Sequence, residues 1–221
     1  MMKALIILKK KTPLRTRHTI ALAKCTNLWK LESKPKTNEI IQEILGYTLS
    51  YPGATRWNSF YDAVSKILLL KDKLLELYER FNNSNIKHQK MNDSELEYLR
   101  EYCLIFKPLV TVLDILKGDQ NTYFGYLLLC LGSLNKKFKR LQNEKLTCHT
   151  QPISEACRQG LHRRFEKYFN FSTMECKDAV LASFTIPKFK LRWVNSFEGF
   201  EIQNLNNNVT RLVFEAGKET I

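Results

Sequence analysis

The longest helical pattern in the chain constrains it most. Phe60, Val64, Ile67, Leu68, Leu74, Leu75, Tyr78 and Phe81 recur with a period near 3.6, and Lys66, Lys71, Lys73 and Arg80 fall largely off that stripe. The spacing predicts a long helix running to about Phe81, with Asn58 or Ser59 as its N-cap, just after a Pro52-Gly53 turn. Only eight glycines occur in 221 residues. Few glycines and Leu-rich runs favour helices over a turn-rich β fold.

Similar patterns flank this stretch. Leu14, His18, Leu22, Cys25, Leu28 and Trp29 predict an amphipathic helix over about 14–31, broken by Lys34-Pro35-Lys36. Thr37 or Asn38 can cap a second helix that ends at Gly46. Tyr47 to Ser50 is short and β-like. Asp93 or Ser94 can cap a helix that meets Pro108, where it either kinks or restarts. Helices are also expected over about 123–141, 153–169 and 178–184, with a helical turn from Pro187 to Trp193. Beyond Val194, two apolar groups flank Asn206-Asn207-Asn208, the pattern of a short C-terminal hairpin. The expected organisation is a basic arm at 1–12, a helical domain at 13–194 and a divergent tail at 195–221. Ala4 to Leu8 reads as a short strand, and its apolar run is too short for a signal h-region or a membrane span.

Charge is unevenly placed. The formal net charge is +13, and residues 1–36 hold ten Lys or Arg against a single acid, Glu32. Such an arm, with Lys9, Lys10, Lys11, Arg15 and Arg17, suits a polyanionic partner; the plainer reading is a solvated terminus. The six cysteines are scattered, with no C-x-x-C pair, and read as reduced thiols in apolar helical contexts.

Most catalytic patterns are missing from the chain. It has no G-x-S-x-G elbow, phosphate-binding G-x-x-x-x-G-K loop, G-x-G-x-x-G or H-E-x-x-H. Cys148, His149, Cys157 and His162 cluster without a zinc spacing, so no metal or other cofactor is expected. Basic groups stand out instead. Lys136, Lys137, Lys139 and Arg140 end one helix, and His162-Arg163-Arg164 with Lys167 lies on another. Lys188, Lys190 and Arg192 alternate with Phe189, Leu191 and Trp193, which suits phosphate contact with base stacking. The competing reading is a helix whose basic stems snorkel while Phe189 and Trp193 enter the core. Arg56-Trp57 sits at a turn-to-helix junction, where a guanidinium and an indole can hold a phosphate and a base, or where Trp57 simply anchors the helix start.

Thr55-Arg56-Trp57-Asn58-Ser59, with Tyr61-Asp62, resembles the T-R-W-N-S-x-Y-D signature of hAT-superfamily transposases. Four other stretches resemble blocks of that family in the same order. Ala23 to Trp29 is similar to its K-C-x-x-L-W helix, and Leu104 to Leu116, with Phe106-Lys107-Pro108-Leu109, to its l-K-P-l-x-x-a-l-d-x-L helix. Arg163-Arg164-Phe165 is similar to its l-x-x-R-F helix, and Ala179 to Trp193 to its A-t-l-x-P-k-F-K-l-x-W block. The resemblance spans roughly residues 15–193. It implies a mainly α helical bundle like the family's insertion domain, flanked by small fragments of a ribonuclease H-like core.

The resemblance also implies where this chain departs from an active transposase. The family's Asp-Asp-Glu triad appears absent: both aspartates belong upstream, and no E-R-x-F-S follows Trp193. Phosphoryl transfer without metal-holding carboxylates loses its main charge stabilisation, so the expectation is a non-enzyme. Arg56 and Trp57 inherit a DNA-contact role only if DNA is still bound. The expected partners are DNA, or the chain itself or a related transposase-derived protein, with no membrane and no small-molecule substrate. The expected location is the nucleus, otherwise the cytoplasm. The alternatives are a helical dimerisation module and a relic without selected function.

Overall fold

The computed structural model describes residues 13–49, 51–53, 57–117, 124–143, 150–171, 173–190, 192–197 and 202–218. Among the described residues the regular structure is helical, with no strand, so the mainly α expectation holds. The chain divides into two units, Met1–Val110 and Thr111–Ile221.

Unit 1 contains α1 (Pro13–Glu32), α2 (Pro35–Leu45), α3 (Trp57–Leu69), α4 (Lys71–Asn83) and the first part of α5 (Asp93–Lys117). Proline at the first turn suits both α1 and α2, because its missing N–H would have no helical partner there. Helix α2 therefore starts before Thr37, whose hydroxyl instead donates to the carbonyls of Leu31 and Lys34. It ends as the sequence predicts. Gly46 adopts φ 71°, and its N–H donates to Gln42 O at 2.9 Å.

The long helix expected to reach Phe81 is two helices. Leu70 N–H is shared between the carbonyls of Lys66 and Ile67, and Lys73 N–H turns back to Leu70 O. No Gly or Pro marks the break. After it, Leu74, Leu77, Tyr78 and Phe81 are buried while Leu75 is exposed. Helix α2 packs against α1 and α4. Trp29 on α1 is buried with ring edges toward Phe60 (5.6 Å) and Tyr51 (6.1 Å). The β-like stretch at Tyr47 joins no ladder: Leu49 is buried, and its N–H donates to the Glu32 carboxylate.

Helix α5 begins with a reciprocal cap that the sequence reading assigned one or two residues too late. Asn92 Oδ1 accepts from Glu95 N–H at 2.8 Å, and Glu95 Oε2 accepts from Asn92 N–H at 2.9 Å. The same carboxylate is buried and pairs with Lys24 Nζ at 2.7 Å. Pro108 lies inside α5, which continues through it to Lys117.

Unit 2 contains α6 (Tyr126–Asn143), α7 (Thr150–Arg164), α8 (Glu166–Phe169), α9 (Met174–Thr185), a 3-10 turn (Val194–Ser196) and α10 (Ile202–Lys218). Helices α6 and α7 run antiparallel, as their pairings show. His162 Nε2 lies 2.8 Å from Asn135 Oδ1, and Gln142 near the end of α6 donates to Glu155 near the start of α7. Two glycines let neighbours approach α6. A Cβ at Gly125 would lie 2.3 Å from Ala182 O, and one at Gly132 would lie 2.8 Å from Phe197 Cε2. Ser183 Oγ–H is shared between the carbonyls of Gly125 (2.7 Å) and Ala179 (2.8 Å).

The expected C-terminal hairpin is corrected by α10. Ile202, Leu205, Val209, Leu212 and Val213 recur at steps of three and four, with Asn206 to Asn208 inside the helix rather than in a turn. Asparagine costs only up to about 0.7 kcal/mol per residue in a helix. The helix packs on α9 and the 3-10 turn with Val209 buried, and that burial offsets the cost. The helical turn expected over Pro187 to Trp193 is likewise a series of turns, with Lys190 at φ 45°.

Candidate nucleic-acid interface

The sequence-predicted residues do not form one constellation. Lys9, Lys10, Lys11 and Arg56 lie outside the described residues, as does the side chain of Trp57, whose backbone opens α3. In unit 1, Arg15 is exposed on α1 and Arg17 is half-buried. In unit 2, Lys188, Lys190 and Arg192 are all exposed.

The alternation of bases and aromatics in that last stretch resolves by depth. Trp193 is 0% exposed. Its indole stacks on Phe171 (centroids 6.1 Å, planes 15° apart) and meets the edge of Phe197 at 5.7 Å. Phe189 meets Tyr126 edge-on at 4.8 Å, and Lys188 Nζ lies 5.8 Å from the Phe189 ring. Trp193 therefore serves packing, and the three cations remain outside.

A second basic group comes together where α7 ends. Phe165 (φ −119°, ψ 27°) breaks the helix, so Lys167 belongs to α8 rather than continuing α7. His162 turns inward, stacked on Phe169 at 4.1 Å and bonded to Asn135. The following residues, Arg163 and Arg164, are exposed. Thr173 caps α9 by accepting from Cys176 N–H, and its hydroxyl donates to Lys167 O at 2.6 Å, which draws the α8–α9 connection inward. The result is an open cleft of about 390 Å³ lined by Arg163, Arg164, Glu166, Lys167, Asn170 and Thr173.

Three cations and one carboxylate line this cleft. Lys167 Nζ lies 3.3 Å from Glu175 Oε1, just outside it. The Glu175 carboxyl is held below its ordinary range, first by its own backbone N–H and then by Lys167. Arg163 and Arg164 have no carboxylate partner among the described residues. Sequence reasoning placed Arg163, Arg164 and Lys167 together but missed Asn170 and Thr173. Thr173, one residue before the Met174 helix start, was the available signal, since threonine there is a strong N-cap.

The other candidate chemistry disperses. Cys148 and His149 lie outside the described residues, while Cys157 is buried on α7 and His162 is committed to Asn135. No group of three or more His, Cys, Asp or Glu among the described residues is placed to hold a metal. Cys25, Cys103, Cys130, Cys157 and Cys176 are all free and buried. Burial pushes the thiols of Cys25, Cys157 and Cys176 up to about 12 and that of Cys130 to about 11. They pack as small hydrophobes rather than act as nucleophiles. No helix among the described residues is long and apolar enough to cross a membrane.

In comparisons with known proteins, no family model, no curated protein and no solved structure matches the chain.

Proposed function

We propose that this chain is an hAT transposase-derived, catalytically inactive protein that binds nucleic acid through phosphate contacts. One observation carries the reading. Lys136, Lys137, Arg163, Arg164, Lys188, Lys190 and Arg192 are exposed in unit 2 with no carboxylate partner among the described residues. Cations left outside a fold that does not need them are available to phosphates. The net charge of +13 and the basic N-terminal stretch support the same partner. The five motif stretches support the ancestry, and the proposed nuclear location accompanies it.

The test is an anisotropy titration of labelled duplex DNA between 50 and 200 mM salt. Neutralising about four phosphates makes the affinity fall by roughly 100-fold across that range. No binding at 50 mM, or binding without a salt slope, overturns the proposal.

A second reading, a self-association module, draws on exposed apolar side chains. Leu69 is 82% exposed on α3, and Phe214 is 65% exposed on α10. A helical dimer by light scattering, indifferent to DNA, favours it over the first.

A further inference from the structure

We infer that the cleft between the end of α7 and the start of α9 is a phosphate-binding site. It takes one backbone phosphate of a nucleic acid, held by the guanidinium groups of Arg163 and Arg164 and the ammonium of Lys167. This assignment rests on the polyanion reading above and names where on unit 2 the recognition occurs.

Four features converge. First, the helix break at Phe165 folds Lys167 toward the two arginines that end α7, so cations from two successive helices line one concavity. On an unbroken helix Lys167 would share one convex face with Arg163 and Arg164, four and three residues back; the break makes that face concave. Second, Arg163 and Arg164 are exposed and lack any carboxylate among the described residues, so neither guanidinium must first be released from an ion pair. Guanidinium forks match phosphate oxygens with paired N–H donors, and an ammonium adds a point charge. Third, Asn170 lines the cleft beside the cations, while the Thr173 hydroxyl, committed to Lys167 O, holds the wall of the cleft in place. Fourth, the cleft is the right size and shape for a polymer. It is open to solvent, with a volume of about 390 Å³. Its cations are all solvent-exposed, so the concavity does not enclose a small metabolite. It suits a phosphate that arrives attached to a chain running past the surface.

Two carboxylates set limits on the site. Glu166 lines the cleft and repels an anion there, which leaves the lining at a net two positive charges. Glu175 holds Lys167 at 3.3 Å, so an entering phosphate shares that ammonium rather than capturing it. Removing the charge of Glu166 therefore strengthens binding, an effect opposite to the loss of the arginines.

The experiment uses the full chain and a labelled single-stranded 20-mer at 100 mM salt. R163A/R164A is compared with K71A/K87A, which removes the same charge from two exposed lysines of unit 1. The cleft assignment expects at least a tenfold loss of affinity for R163A/R164A and at most threefold for K71A/K87A. It also expects a salt slope reduced by about 1.4 for the arginine variant, from two lost contacts at about 0.7 each on single strands. Glu166→Gln should raise affinity two- to threefold, and inorganic phosphate should compete better than chloride at equal ionic strength. Equal losses in the two double variants, with no gain for Glu166→Gln, overturn the cleft but leave the polyanion reading standing. Phosphate competition lost in R163A/R164A with unchanged oligonucleotide affinity overturns the nucleic-acid assignment. Absence of oligonucleotide binding by the unsubstituted chain overturns both.

Discussion

Unit 1 draws a charge into its fold, and unit 2 keeps its charges outside. In unit 1, Lys24 on α1 reaches Glu95 on α5 at 2.7 Å, and its ammonium also donates to Lys90 O at 2.9 Å. That carboxylate is buried and caps α5 as well, so two helices depend on one acid. In unit 2 the ion pairs among the described residues lie nearer the surface, and even Arg158–Glu155 is about one-third exposed. Lys167–Glu175 and Arg211–Glu215 join side chains that are half or more exposed, and exposed pairs contribute little, about 0–1 kcal/mol. The buried work there falls to rings: Phe169, Phe171, Trp193 and Phe197 form one cluster. Rings and close helix contacts carry the packing of unit 2, while Arg163 and Arg164 stay exposed at its surface.

Four tests sharpen the contrast, the largest effect first. Trp29→Ala and Trp193→Ala each remove a buried indole from the core of one unit. Each should cost about 3–5 kcal/mol by urea denaturation. Hydrogen exchange should rise in the unit that carries the substitution and leave the other protected. Rising exchange in both would show that the units do not fold separately.

Next comes Lys24→Met. It strands a buried carboxylate but keeps most of the side-chain volume. Because the Lys24 side chain is one-fifth exposed, the loss should be about 2 kcal/mol rather than the 3–5 kcal/mol of a fully buried pair. A change below 0.5 kcal/mol would put unit 1 in the same electrostatic regime as unit 2.

Gly132→Ala tests the close packing of unit 2 and has a sign to decide. Helix propensity alone predicts a gain of about 1 kcal/mol. The added methyl, however, would lie 2.8 Å from the ring of the buried Phe197 and 2.9 Å from Ser196 Cβ. Overpacking of that kind costs about 1–3 kcal/mol, so a net loss of about 1 kcal/mol is expected in the urea midpoint. A gain would mean that the α6 contact with the 3-10 turn is loose.

The smallest effect is shared by both units. Burial lowers the pKa of His18 and of His162, in the latter case with help from Arg158. A lowered value means that the fold favours the neutral ring. Its stabilisation is complete above the ordinary imidazole value of about 6.5 and is lost as pH falls through the depressed folded value. Stability should therefore decline as pH falls from 7 to 5. His162→Gln should remove the contribution of unit 2 and leave that of His18.

How much of this was legible varies with the distance over which the information acts. The Gly46 cap, the start of α1 and the helical identity of 126–143 follow from local spacing and local hydrogen bonds. The break at Leu70 does not, because the apolar stripe runs through it without a Gly or Pro. The C-terminal helix was legible in the three-and-four spacing of Ile202 to Val213 but was obscured by three asparagines that resemble a turn. The candidate site was half legible. Arg163, Arg164 and Lys167 are adjacent in sequence, yet their meeting in a cleft depends on Phe165 interrupting the helix and on the Thr173 hydroxyl reaching Lys167 O.

By itself the sequence determined a helical, strongly basic chain with buried thiols, because helix formation and net charge depend on residue type and short-range periodicity. Only the tertiary structure decided which charges are consumed and which are spare. Lys24 and Glu95 are separated by 71 residues, so nothing in their local patterns marks them as partners. The ion pair appears only when packing brings α1 and α5 together and removes water from the carboxylate. Arg163 and Arg164 look no different in sequence. They remain unspent because the carboxylate that approaches the cleft from α9, Glu175, reaches Lys167 instead.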